Sequence, residues 1–94
     1  MSFNKTDFAF RPCQGEGSWK LIPKKKINLD LQKIKLQIDK KVQVEFLTGF
    51  LIVFNFESYK FNLQKNGTLL IKEINDKLLA EKLLEKAMKI VLEK

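Results

Sequence analysis

The chain has 94 residues, 45% of them hydrophobic, and it contains one cysteine and no histidine. This length fits one small domain, the single cysteine excludes an internal disulfide, and the lack of imidazole excludes a Ser-His-Asp triad, a Cys-His pair and the commonest metal ligand. The formal net charge of +7 favours either simple solubility or an anionic partner.

Most of the positive charge lies in the first half of the chain. Residues 1–41 contain ten basic and four acidic side chains, whereas residues 42–74 contain three of each and residues 75–94 contain five and four. No apolar run approaches the roughly 20 residues of a membrane helix, and the first ten residues lack the basic head and apolar core of a secretory signal. We therefore expect a soluble, cytoplasmic protein with no membrane partner, cofactor, metal or small-molecule substrate.

Residues 1–17 show no sustained hydrophobic period, so they are predicted to form an extended arm or loop that packs through its phenylalanines. The segment RPCQGEGSWK at 11–20 includes Gly15-Glu16-Gly17, which lacks the third glycine of a dinucleotide-binding fingerprint and has no strand before it. We interpret this segment as a turn that leads into a strand. Cys13 is then a small, partly buried residue rather than a nucleophile.

A strand is predicted from Gly17 onward in SWKLIPKKKINL, where Pro23 places it at a sheet edge or a bulge. The next segment has apolar residues at 31, 34 and 38, and this spacing predicts a short helix over 29–38 with Asn28 or Asp30 as its cap. The same residues also alternate for part of the way like a strand. We favour the helix.

Four strands are predicted next, because segments rich in Val, Ile, Phe and Tyr are separated by turn residues such as Asn66-Gly67. Asn75-Asp76 is predicted to cap a helix, and the tail after it has apolar residues on one helical face and no internal Gly or Pro. The predicted class is α+β, with an antiparallel sheet of about five strands and both helices on one face. The order is strand, short helix, four strands and a long C-terminal helix, all within one domain over 18–94. The four predicted strands are 41–47, 50–56, 58–63 and 67–74.

Two helices cover only one face of such a sheet, so the other face needs a cover if it is apolar. The strand FLIVFNF is apolar on both sides, since Leu51 and Val53 alternate with its other hydrophobic residues. Four covers are possible: the N-terminal arm, a second copy of the chain, a nucleic acid, or an unknown protein partner. The predicted interface consists of Phe50, Ile52, Phe54 and Phe56.

A basic stretch near the first strand is the clearest candidate for a binding site. Its cations would contact phosphates, and Trp19 would stack on a base; alternatively the lysines protect a solvated sheet edge and Trp19 is a packing anchor. The acidic residues are scattered singly, so no catalytic carboxylate pair or metal site is predicted and we expect no enzyme. The predicted nucleic-acid-binding residues are Arg11, Trp19, Lys20, Lys24, Lys25 and Lys26.

The segment LDLQKI at 29–34 and the sequence from Asn66-Gly67 through Ala80 and Ala87 resemble one half-repeat of the TATA-binding protein saddle. The resemblance covers about residues 18–93 and implies a curved sheet with both helices on its convex side. That family binds DNA with two fused halves, so a full saddle built from this single half would require a homodimer. The meander of this chain is electrically neutral, and the family's phenylalanine pairs have no match that would transfer to Phe54 or Phe56.

Together these observations predict a small, non-enzymatic module that binds DNA or RNA through its basic N-terminal patch. The alternative is a protein-interaction or homodimerisation module that uses an apolar open face of the sheet. The two differ in their response to salt, because phosphate contacts weaken steeply as salt rises whereas apolar contacts do not.

Overall fold

A computed structural model describes residues 3–13, 15 and 17–92. One turn of 3-10 helix precedes the first strand. The elements are β1 (Phe8–Pro12), β2 (Trp19–Pro23), α1 (Leu31–Ile38), β3 (Gln43–Leu47), β4 (Leu51–Phe56), β5 (Tyr59–Gln64), β6 (Leu69–Ile71) and α2 (Lys77–Leu92).

The strands form one open antiparallel sheet in the order β1-β2-β6-β5-β4-β3. The α+β class and the two helices are therefore confirmed, but the sheet has six strands rather than about five. The additional strand is β1, which lies in the predicted arm and pairs with β2 from Phe8 opposite Pro23 to Pro12 opposite Trp19. Phe3, Phe8 and Phe10 pack, half-buried, against the hydrophobic core.

Both helices begin at an aspartate cap. Asp30 precedes α1, and its Oδ1 accepts a hydrogen bond from the backbone N–H of Lys33 at 3.3 Å. Asp76 precedes α2, and its Oδ1 accepts from the backbone N–H of Leu79 at 3.1 Å. These bonds satisfy donors that the first helical turn leaves without a partner, which explains where each helix starts.

The hairpin turns follow from residues that adopt a left-handed backbone. Glu57 and Ser58, with φ of 50° and 71°, form the two-residue turn between β4 and β5. Gly67, with a φ of 92°, shapes the turn between β5 and β6. The last strand ends at Ile71, earlier than predicted, and Glu73 just beyond it has a φ of 63°.

The core lies between the two helices and one face of the sheet. Inward-facing residues of β4, Ile52 and Phe54, are fully buried there, and Phe56 packs against the same cluster. Ile52, Phe54 and Phe56 therefore do not form the exposed interface that the sequence predicted. Alternation along β4 sends these side chains toward the helices, while Phe50 lies in the turn before the strand with 78% of its surface exposed.

Candidate functional site

The side of the sheet opposite the two helices is here called the helix-free face. One line of directly paired residues crosses all six strands on this side. Paired residues on neighbouring strands project from the same side of a sheet, so these side chains form a single row. This central row, from β1 to β3, consists of Arg11, Lys20, Leu70, Asn62, Val53 and Phe46.

The β1 end of the central row is cationic. Arg11 and Lys20 are direct cross-strand partners. Arg11 donates from its guanidinium to the carbonyl of Phe10 at 3.2 Å, and neither cation has a carboxylate within 4.0 Å among the described residues. Like charges placed directly opposite each other destabilise a sheet, so an anion bound here would relieve a repulsion that the fold contains.

A polar depression of about 580 Å³ lies beside the centre of the row. Its lining supplies amide, hydroxyl and ammonium groups, which donate and accept hydrogen bonds in several directions. Lys72 follows β6 directly and lines the same depression. The lining residues are Asn55, Ser58, Tyr59, Lys60, Asn62, Lys72 and Glu73.

Glu45 neutralises one of these cations. Its Oε2 lies 3.1 Å from the Nζ of Lys60. Hydrogen bonds from the Asn55 side chain and from Lys60 lower the pKa of the Glu45 carboxyl below its ordinary value. The carboxylate is therefore ionised at neutral pH, and Lys60 contributes less positive charge to the face than Arg11 or Lys20.

The β3 end of the central row is aromatic. Phe46 exposes 52% of its surface, on a face that also carries amides and cations. Its cross-strand partner Val53, on the same side of the sheet, is only 4% exposed. An exposed phenylalanine ring provides a flat apolar surface on which a planar group can stack.

The predicted basic patch is divided by the fold. Lys20 belongs to the helix-free face, whereas Lys24, Lys25 and Lys26 lie exposed in the loop that begins directly after β2. The backbone N–H of Lys24 donates to the carbonyl of Asp7 at 2.9 Å. The three lysines border a separate hollow of about 250 Å³.

Trp19 does not accompany its neighbour Lys20 onto the helix-free face. Its ring stacks on Phe10 with a centroid separation of 5.4 Å and an interplanar angle of 8°. Its indole N–H donates to the carbonyl of Ile74 at 3.0 Å. These contacts place the ring on the side of the helices, so they favour the packing-anchor interpretation over base stacking.

Phe46, Lys60, Asn62 and Lys72 were not selected from the sequence. The side on which Phe46 lies depends on a bulge: Val44 pairs with Phe54 and Phe46 pairs with the adjacent Val53, which leaves Glu45 as an extra residue. Simple alternation would place Val44 and Phe46 on the same side. In SYKFNL, Lys60 and Asn62 alternate with Tyr59, Phe61 and Leu63, so the strand pattern indicates that they point away from the core.

No family model, curated protein or solved structure matches the chain. Neither of the helices formed by the described residues has the length and apolar character needed to cross a membrane.

Proposed function

We propose that this protein is a small, non-enzymatic nucleic-acid-binding module whose contact surface is the helix-free face. The observation that carries the proposal is the cross-strand pair of Arg11 and Lys20. Their repulsion is a cost to the folded chain, and a phosphate placed between them would convert it into two attractive contacts. The net charge of +7 adds a long-range attraction to polyanions.

Further cations extend this surface. Lys72 borders the polar depression and has no carboxylate within 4.0 Å among the described residues, while Lys60 is held by Glu45. Three cations of the helix-free face are thus available for phosphates. The loop with Lys24, Lys25 and Lys26 lies apart from them and is assigned a supporting role in long-range attraction.

The resemblance to half of a TATA-binding protein saddle is part of this proposal. It is supported by the order of elements from β2 to α2, which is strand, short helix, four strands and long helix. β1 is an addition to that order. Under this proposal the helix-free face corresponds to the side on which the family binds DNA.

The test is a fluorescence anisotropy titration of labelled mixed-sequence oligonucleotides at about 50 mM and about 200 mM salt, conditions that separate phosphate-driven binding from apolar contact. We expect Arg11→Ala/Lys20→Ala to weaken binding by about tenfold or more at the lower salt. The thermal midpoint of this variant should stay the same or rise, because the variant removes a like-charge pair.

Matched controls separate this site from general charge. Lys33→Ala/Lys82→Ala makes the same charge change at exposed positions on the two helices, and it should retain nearly all of the binding. Lys24→Ala/Lys25→Ala/Lys26→Ala should weaken binding less than the double variant, despite removing one more charge. Equal losses in all three variants would mean that binding is not localised on the helix-free face.

The alternative, an interaction or homodimerisation module, was motivated by an apolar open face. This alternative has less support than the proposed function, because Ile52 and Phe54 are in the core and the helix-free face carries amides and cations beside its apolar side chains. Wild-type protein that does not bind nucleic acid at low salt would contradict the proposed function and return attention to this alternative.

A further inference from the structure

We infer that the nucleic acid bound on the helix-free face is single-stranded and crosses the sheet along the central row, with one of its bases stacked on Phe46. This inference rests on the proposed function and specifies its ligand. The inference is carried by the order of side chains along the row, which runs from two cations through Leu70, Asn62 and Val53 to an exposed aromatic ring.

The ends of the row differ in chemistry, and their separation suits a short strand. Arg11 and Phe46 are five strand spacings apart, or roughly 24 Å at the usual distance between neighbouring strands. That length accommodates about four nucleotides, the lower end of the site sizes found for single-strand binding folds. Phosphates of such a strand would lie at Arg11 and Lys20, and a base at the far end would reach Phe46.

The exposed ring of Phe46 argues against a duplex as the ligand. Paired bases are stacked on one another, so a duplex offers no base face to a ring on a sheet unless it is kinked open. Unpaired bases offer their faces freely, and stacking on aromatic side chains is the usual way in which proteins hold them. The two cations of the row lie at one end only. A duplex lying along the row would present two phosphate backbones, and the rest of the row offers them no cation.

The polar centre of the face fits unpaired bases as well. Asn62 lies in the row between Leu70 and Val53, and Asn55 lines the adjacent depression. A carboxamide both donates and accepts hydrogen bonds, so it can pair with the exposed edge of an unpaired base. In a duplex, the Watson–Crick edges are already occupied.

The test compares a labelled single strand of about 12 nucleotides, within the range of single-strand site sizes, with the duplex formed by adding its complement. DNA and RNA versions of the strand are titrated at low salt. We expect at least one of the single strands to bind about tenfold or more tightly than its duplex. Phe46→Ala and Phe46→Leu should each weaken single-strand binding by about 5- to 150-fold, the range that corresponds to losing one stacked base.

Phe46→Leu is the decisive variant, because it keeps an apolar side chain at this edge strand and removes only the aromatic ring. Leu36→Ala, which removes a side chain that is 73% exposed on α1, is the control and should bind as the wild type does. Circular dichroism melting verifies that each variant is folded before it is titrated.

The outcomes separate this inference from the proposed function. Duplexes bound as tightly as the single strands, or wild-type affinity in Phe46→Leu, would overturn the inference and leave a nucleic-acid-binding face in place. Wild-type protein that binds none of the four ligands would overturn both.

Discussion

Glu45 is the extra residue of the bulge between β3 and β4, and it limits the positive charge of the helix-free face. Its carboxylate holds Lys60 at 3.1 Å, and hydrogen bonding from Asn55 and Lys60 keeps its pKa below the ordinary 4.5. The carboxylate therefore competes with any phosphate for Lys60. A substitution that removes this charge without changing the shape of the side chain should strengthen nucleic-acid binding.

Glu45→Gln is expected to raise the affinity for a single strand at low salt and to steepen the slope of log K against log salt by about 0.7, the increment for one additional phosphate contact. Anisotropy titrations over a series of salt concentrations measure both quantities. Glu81→Gln, which removes a carboxylate from α2, is the control and should leave the slope unchanged. A slope in Glu45→Gln equal to that of the wild type would mean that Lys60 does not reach the ligand.

Glu45→Gln should also change the stability of the protein, by an amount that depends on pH. A carboxyl group whose pKa is lowered by folding stabilises the folded chain above its unfolded-state pKa, and this contribution disappears as the pH falls through the folded-state value. Wild type should therefore be more stable than Glu45→Gln at neutral pH. The difference should shrink toward zero as the pH falls below the ordinary value of 4.5, which denaturant unfolding at several pH values measures.

The sequence predicted some side chains of the site and missed others. The cationic character of Arg11 and Lys20 is visible in the sequence, but their direct pairing requires β1, which was predicted as an arm. Phe46 was missed because the bulge at Glu45 reverses the alternation that a strand pattern assumes. Bulges depend on the partner strand, so the pattern of one strand does not reveal them.

The hairpin of β5 and β6 depends on a turn in which a glycine adopts a left-handed backbone. Gly67 has a φ of 92°, and a Cβ at this position would overlap the Ile27 side chain and lie 2.8 Å from the Cγ of Pro23. The turn is closed by hydrogen bonds from the Gln64 and Gly67 N–H groups to the carbonyls of Thr68 and Gln64, both at 2.9 Å. The loop after β2 therefore packs directly on the turn.

Gly67→Ala is expected to lower the free energy of unfolding by about 1 to 3 kcal/mol, because it combines an unfavourable backbone conformation with overpacking. Gly49→Ala is the matched control. Gly49 lies in the turn between β3 and β4, and a Cβ there meets no atom within 4 Å. Urea denaturation of both variants measures the difference, and a Gly67→Ala variant as stable as Gly49→Ala would contradict this account of the turn.

The elements differ in how well the sequence predicted them. α1 and α2 begin at aspartate caps that were among the predicted ones, since a cap is a local interaction within a few residues. β1 was missed because FAFRP alternates over only five residues and ends at a proline. Its stability comes from pairing with β2 and from packing of Phe8 and Phe10 on the core, and neither is a local property.

The distribution of charge over the folded chain sets how strongly binding depends on salt. The net charge is +7, but the helix-free face offers only three cations without a described carboxylate within 4.0 Å, namely Arg11, Lys20 and Lys72. Three phosphate contacts with a single strand predict a slope of log K against log salt of about −2. Arg11→Ala/Lys20→Ala should reduce its magnitude to about 0.7.

Titrations of the wild type and of Arg11→Ala/Lys20→Ala over the same salt series test the expected number of phosphate contacts. A wild-type slope much steeper than about −2 would mean that the lysines after β2, or others outside the helix-free face, also contact phosphates. In that case Lys24→Ala/Lys25→Ala/Lys26→Ala should recover the shallower slope. Sedimentation of the protein alone, at the concentrations used for titration, determines whether one chain or a dimer is being titrated.

The chain contains a single tryptophan, and the position of that residue makes it a natural optical reporter. The indole of Trp19 contacts Phe10 of β1 and the carbonyl of Ile74 just before α2, so its emission senses whether the two ends of the chain are assembled. Its ring faces away from the central row. Intrinsic fluorescence can therefore follow unfolding of this protein in the presence of an oligonucleotide, with little direct signal from the ligand itself.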